Sequence, residues 1–342
     1  MCNIAGYVGT RAAAPILLEM LKREEGFDGG FYTGIATLHE GKIYYAKLTG
    51  DVDRLTALTE AAKLPGTIGI AHSRTKSGGG DEWAHPFIGG RPGEARLAYV
   101  ANGSVGSFAD RKPTFDLLSN ELLDEGYRLD SRIRIESDKY QALRDGTKVH
   151  MSDVMAQLIA RNLEGGESGA KAMEQGFCAM PSEIVGLMIE PQAADRISYA
   201  RINMPMMVSH AEHGTYLATT VFAIPEDGAE AVLLPLCSAG WVGAGTVVSA
   251  PMQAPPAAAE PITPQIKAMA RERMIAAMEE SPKTFSELRM ITKACFCSPC
   301  CEFPPLGYQI LWEMKDQLCF EMRRVEGAFA PLDAPKFYIS LK

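Results

Sequence analysis

Two periodicities divide the chain. Residues 4–8, 33–38, 42–48 and 67–72 are short apolar runs, partly alternating and bounded by turn residues, and each predicts a strand. His39-Glu40-Gly41 joins the second run to the third as a hairpin, and a further strand from Arg96 runs into Asn102-Gly103. Helical spacing marks residues 14–22, 53–64, 114–125 and 154–163. Strand patterns return at 184–189, 196–202, 206–209 and 214–219, as a second sheet would require. Residues 232–248 are the most apolar stretch, but Pro235, Gly240, Gly243 and Gly245 interrupt it. Two buried strands joined by a turn are expected there, not a bilayer crossing.

The pattern changes at 251–261, an Ala/Pro-rich linker of semi-extended character. Beyond it, residues 262–342 predict a separate, mostly helical module. Thr263-Pro264 caps a helix carrying Ile266, Met269, Ala270, Met274, Ala277 and Met278 on one face, and Thr284-x-x-Glu287 is a capping-box start for another. Residues 308–325 read as a third helix, and Phe337, Ile339 and Leu341 alternate as a closing strand. Three helices and a strand suit a small winged-helix-like module.

Composition narrows the class. A chain of 342 residues exceeds one ordinary domain, and 46% hydrophobic with 22% charged residues is a globular balance. The net charge of −8 argues against nucleic acid as partner, and residues 264–342, with 11 basic and 10 acidic side chains, lack a basic footprint. No secretory segment opens the chain, so the eight Cys are expected as reduced thiols in a cytoplasm. Cys295, Cys297, Cys300 and Cys301 crowd together, but adjacent Cys300 and Cys301 fit one tetrahedral ion poorly. Reduced or redox-active thiols are preferred to a metal there, and no cofactor or metal is expected. His210 and His213 lack the further ligands a metal needs and read as satisfied loop histidines.

Three stretches carry chemistry. In the first, Cys2 follows the initiator Met, and removal of Met1 would give one residue both a thiol and an α-amine of pKa roughly 8, a nucleophile with its own base. The second is Ala71-His72-Ser73-Arg74-Thr75-Lys76-Ser77-Gly78-Gly79-Gly80, closing with Ala84-His85-Pro86. A strand ending in Arg before a Gly-rich loop presents a planar fork that suits a carboxylate, and glycines let backbone approach a small ligand. In the third, Asn102-Gly103 leads into the 114–125 helix, so an amide and a backbone N–H can converge as an oxyanion hole.

In this order and at these intervals, the stretches resemble the class II glutamine amidotransferases over about the first 250 residues, most closely the glutaminase domain of glucosamine-6-phosphate synthase. The resemblance implies an α+β fold, a four-layer αββα N-terminal-nucleophile hydrolase sandwich of two antiparallel sheets spanning 1–250. It makes Cys2 the nucleophile, Asn102 and Gly103 the oxyanion hole, and Arg74 the holder of glutamine's α-carboxylate. Ser77 falls on a loop Thr that contacts substrate, and His85 on the Ala-His-Pro histidine, read as support for the pocket. Departures are Thr75 in place of Trp, Gly78-Gly79 in place of His-Gly, Ala101 in place of His, and a signature reduced to Gly26-Phe27-Asp28. For the α-amine of glutamine the family uses an Asp that opens a helix. Asp153 is favoured as the N-cap of the better helix, 154–163, with Asp138 as the alternative.

The implied activity is hydrolysis of glutamine to glutamate and ammonia. The family's sugar isomerase domains would need several hundred further residues, so synthesis of an amino sugar by this chain alone is not expected. A separate synthase partner for the ammonia, docked through the region after Pro264 with Trp312, Phe320 and Phe329 as anchors, is one expectation; these aromatics as the module's own core is the other. A homo-oligomer is allowed, and no membrane association is expected. The alternative class is a catalytically silent glutamine-sensing protein on the same fold.

Overall fold

The computed structural model describes residues 2–75, 78–326 and 332–342. In chain order the first elements are β1 (Asn3–Gly9), α1 (Ala13–Glu24), β2 (Tyr32–His39), β3 (Lys42–Thr49), α2 (Val52–Leu58), β4 (Ile68–Arg74), β5 (Phe87–Gly89) and β6 (Leu97–Ser104). Next come α3 (Lys112–Asp124), the short hairpin β7 (Gln141–Ala142) and β8 (Lys148–Val149), α4 (Met151–Glu164) and α5 (Gly169–Ala179). Then follow β9 (Glu183–Ile189), β10 (Arg196–Arg201), β11 (Met207–Ala211), β12 (Gly214–Ala218), β13 (Val232–Leu233), β14 (Ser238–Gly243) and β15 (Thr246–Pro251).

These strands form two sheets, in the orders β13-β11-β12-β1-β4-β2-β3 and β15-β14-β10-β9-β6-β5, with antiparallel pairing throughout. Because side chains alternate across a strand, each sheet buries one face on the other sheet and one under helices. Ile4, Val8, Ile68 and Ile70 meet Ala98, Val100, Val185 and Leu187 between the sheets. Ala5, Tyr7 and Ala71 pack under α1, while Leu97, Tyr99 and Met188 pack under α4 and α5. The result is the expected four-layer αββα sandwich. Of the strands expected in 232–248, β14 is largely buried, whereas β15 is a mostly exposed edge.

The C-terminal part contains α6 (Pro264–Glu280), β16 (Lys283–Thr284), α7 (Phe285–Lys293), α8 (Phe303–Glu313), β17 (Leu318–Glu326) and β18 (Asp333–Leu341). Thr263 caps α6 and the Thr284/Glu287 capping box opens α7, as their spacing predicts. The third helix differs from expectation. It spans Phe303–Glu313, and the chain then enters β17, because the closing strand β18 needs a partner and pairs with β17 along its whole length. The sheet order is β16-β18-β17.

Residues 251–261 are pinned rather than free. Met252 is buried with its N–H on Cys237 O, and the Glu260 carboxylate accepts the N–H groups of Cys297 and Ser298 at 2.8 and 2.6 Å. Phe27 is the centre of the contact between the two parts, its ring 4.8 to 6.0 Å from those of Phe222, Phe285, Tyr308, Phe320 and Phe337. Ion pairs Asp28–Lys336 (3.1 Å), Asp51–Arg324 (2.8 Å) and the buried Arg201–Glu302 (2.7 Å) cross the same contact. Such aromatic pairs contribute about 0.5–1.5 kcal/mol each beyond area burial. Trp312 lies edge-on to Phe222 and Phe320 packs on Phe27, so both belong to this internal contact; Phe329 lies outside the described residues. Among the described residues no helix is long and apolar enough to cross a membrane, and no three His, Cys, Asp or Glu side chains converge to hold a metal ion. His210 bonds Thr215, and His213 bonds Tyr7, Tyr216 and Asp227.

Candidate active site

The alternation that builds the core also builds the site. Cys2 has the parity of Ile4 and Val8, His72 and Arg74 that of Ile68 and Ile70, and Asn102 that of Ala98 and Val100. All four therefore project between the sheets, at one end of the sandwich. The Cys2 N–H donates to Asn102 Oδ1 at 2.9 Å, tying the start of β1 to β6 across the gap. Asn102 Nδ2 is buried and without a hydrogen-bond partner among the described residues, which is a cost unless a ligand supplies the acceptor. At Gly103 a Cβ would sit 2.2 Å from Glu183 O, so the close pairing of β6 with β9 demands glycine there.

Arg74 is buried at the end of β4. Its Nη1 donates to Trp83 O at 3.1 Å, and the guanidinium lies 4.9 Å from the Tyr32 ring centroid and 5.5 Å from that of Trp83. Burial lowers its pKa, against the nearby Cys2 and Tyr32. Trp83 is fixed in turn by its Nε1 donating to Ser131 O at 2.6 Å. The Cys2 Sγ lies 3.8 Å from Thr75 Oγ1.

Three histidines stand behind these groups. His72 and His85 lie with ring centroids 3.8 Å apart, and His150 is 5.3 Å from His85. Burial first, and the Arg74 charge second, push His72 down to about 3, and burial pushes His85 and His150 well below their usual value. All three are neutral at working pH. His72 Nε2 is bonded to Ala101 O at 3.0 Å; neither ring nitrogen of His85 has a partner among the described residues.

These groups open on a cavity of about 620 Å³ lined by Cys2, Arg74, His85, Asn102 and Gly103. Ser77 lies outside the described residues. Asp153 does not line the cavity: its carboxylate accepts from Ser131 N and Oγ at 2.8 and 2.7 Å, and burial raises its pKa to about 6. Asp138 does line it. Sequence reasoning missed Thr75 as a neighbour of the thiol, although it directly follows Arg74. It also missed Arg289, Met290, Lys293 and Phe303, which reach the cavity from α7 and α8. Only the folding back of the C-terminal part brings them there.

The two-sheet sandwich, with Cys2, Arg74 and Asn102 at one end, has the architecture of the N-terminal-nucleophile glutamine amidotransferases. In solved structures the fold recurs in the glutamine phosphoribosylpyrophosphate amidotransferase of B. subtilis, at a TM-score of 0.60 and 16% identity over 82% of this chain and 58% of that one. No family model matches the chain. In sequence it is similar to glutamine--fructose-6-phosphate aminotransferases: 28% identical to that of Pyrococcus horikoshii over 225 residues and 30% identical to that of Leifsonia xyli over 232. These stretches are 65% and 66% of this chain, which spans about a third of each relative, 33% in both cases. The chain is homologous to the glutaminase domain of glucosamine-6-phosphate synthase, and this homology supports a glutamine amidotransferase.

Proposed function

We propose that the chain hydrolyses the side-chain amide of glutamine through Cys2. The observation that carries this reading is the Cys2–Asn102 hydrogen bond, which turns the Asn102 amide so that an unsatisfied buried donor remains for an oxyanion. After removal of Met1 the N–H at that bond becomes an α-amine, one residue's base beside its own thiol.

The α-amine takes the thiol proton, and Sγ attacks the amide carbon of glutamine. Asn102 Nδ2, with the Gly103 N–H, stabilises the resulting oxyanion. Collapse breaks the C–N bond, the proton held by the amine passes to the leaving nitrogen, and ammonia departs from a thioester. Water, deprotonated by the same amine, attacks the thioester, and the proton returns to sulfur as glutamate leaves. Arg74 holds the α-carboxylate by its fork, and Asp138, one of the carboxylates lining the cavity, takes the α-amine.

Turnover of glutamine to glutamate by the processed chain, together with covalent labelling of Cys2 by a glutamine-mimicking electrophile, tests the reading. Cys2→Ala is expected to abolish both and to leave the melting temperature within a few degrees. Retained turnover in that variant would remove Cys2 from the mechanism.

A further inference from the structure

Part of the cavity lining consists of residues that the proposed glutamine chemistry does not use. Arg289 and Lys293, four positions apart and so on one face of α7, line this wall with Met290, and Phe303 from the first turn of α8 lies beside them. The charge here is opposite to that of the chain as a whole. Against a net −8, the described residues lining the cavity include Arg74, Lys112, Lys139, Arg289 and Lys293 and, among the described residues, only two acids, Asp138 and Glu183.

The local partners of these groups are uneven. Lys112 is paired with Asp116 at 2.8 Å, and Glu183 Oε1 is bonded to the Ser107 N–H at 3.1 Å. Arg289 has no carboxylate partner among the described residues: Nη2 reaches Ser286 Oγ at 3.3 Å, and Nε is buried without a hydrogen-bond partner. Asp28 feels the Arg289 charge, but its ion pair is with Lys336. Lys293 is in no ion pair among the described residues, and its Nζ rests 5.0 Å from the centroid of the Phe303 ring. A guanidinium with an unmet buried donor and an ammonium one turn away form the donor set of an oxyanion site. Met290, 53% exposed, and Phe303 supply apolar surface beside it.

We propose that the α7 wall is a subsite for a second ligand, a small molecule carrying a phosphate or carboxylate that Arg289 and Lys293 hold in the same cavity as glutamine. What binds beside Cys2 rests on the glutaminase reading above; the anion site does not. At about 620 Å³ the cavity lies within the range of pockets that hold drug-sized molecules, roughly 300–1,000 Å³, which leaves room for two small ones.

The test is calorimetric titration of the full chain with inorganic phosphate and, separately, with malonate, which distinguishes the two oxyanion types. Saturable binding of at least one probe is expected. The double variant Arg289→Gln, Lys293→Gln should weaken it by about tenfold or more, the effect of losing charge-assisted hydrogen bonds. Lys293→Gln alone, at a partly exposed helix position, keeps the test open if the double variant does not fold, and Arg289→Lys should restore part of the affinity. Cys2→Ala should leave anion binding unchanged. Binding that is absent, indifferent to the α7 variants, or lost with Arg74→Lys instead would overturn the subsite. Labelling of Cys2 by the glutamine-mimicking electrophile, run in parallel, reports on the glutamine site: its absence would defeat the glutaminase reading while the titration still decides the anion site.

Discussion

The Cys2 backbone N–H and the Asn102 side-chain carbonyl are joined at 2.9 Å across the two sheets, which commits the oxygen of that amide to the chain start and the nitrogen to the cavity. If the nitrogen is an oxyanion donor, Asn102→Ala lowers kcat by about two to three orders of magnitude, the usual effect of removing one such donor. KM for glutamine should change far less. Steady-state kinetics check this, and a loss below tenfold would move the oxyanion hole elsewhere.

Arg74→Lys should raise KM for glutamine strongly. Its guanidinium is held by Trp83 O and flanked by the Tyr32 and Trp83 rings, a slot shaped for a plane, and a lysine ammonium offers neither the plane nor the two-pronged grip on a carboxylate. Competition by glutamate is a direct measure, and an unchanged inhibition constant would exclude contact with the α-carboxylate.

Asp138 and Asp153 separate cleanly by experiment. Asp138→Asn should weaken glutamine binding with little change in melting temperature, since the side chain is exposed on the cavity rim. Asp153→Asn should do the reverse, because its carboxylate is taken up by Ser131. The opposite pattern would restore Asp153 to the substrate.

Glu25 predicts a pH signature. Burial raises its carboxyl from 4.5 to about 7, although Val52 N–H and Ser73 Oγ donate to it. The folded state therefore holds a proton that the unfolded state has released between these values, so the contribution of Glu25 to stability is fully present below about 4.5 and is lost as pH rises through 7. Glu25→Gln removes the dependence, and its advantage over the parent in urea denaturation should grow by roughly 2–3 kcal/mol between pH 5 and 8. A constant difference across that range would contradict the assignment.

Phe27→Ala should destabilise by about 3–5 kcal/mol, the range for deleting a buried aromatic, and should split unfolding into two transitions as the C-terminal part loses its anchor. Differential scanning calorimetry would reveal the split. A single transition at nearly the parental temperature would mean the other contacts suffice.

How much was legible follows the range of the interactions. Ile4, Ile70, Val100 and Leu187 announce their strands by local alternation, and the same alternation predicts that Cys2, Arg74 and Asn102 share a side once the sheets stack. Capping at Thr284 is equally local. The failures are non-local. β17 reads as helix until β18 is laid beside it, and nothing near Arg289 or Lys293 in sequence says that α7 will face Cys2. Asp153 sits in the first turn of its helix with its carboxylate bonded to Ser131, a partner that its local sequence does not announce.

β1 is an interior strand, paired with β12 on one side and β4 on the other, and the Ile4 N–H and C=O are both engaged with Thr219. The first residues should thus be among the slowest amides in hydrogen–deuterium exchange, opening only with global unfolding. Cys2, leading directly into β1, would then be held as rigidly as a residue in the middle of a core.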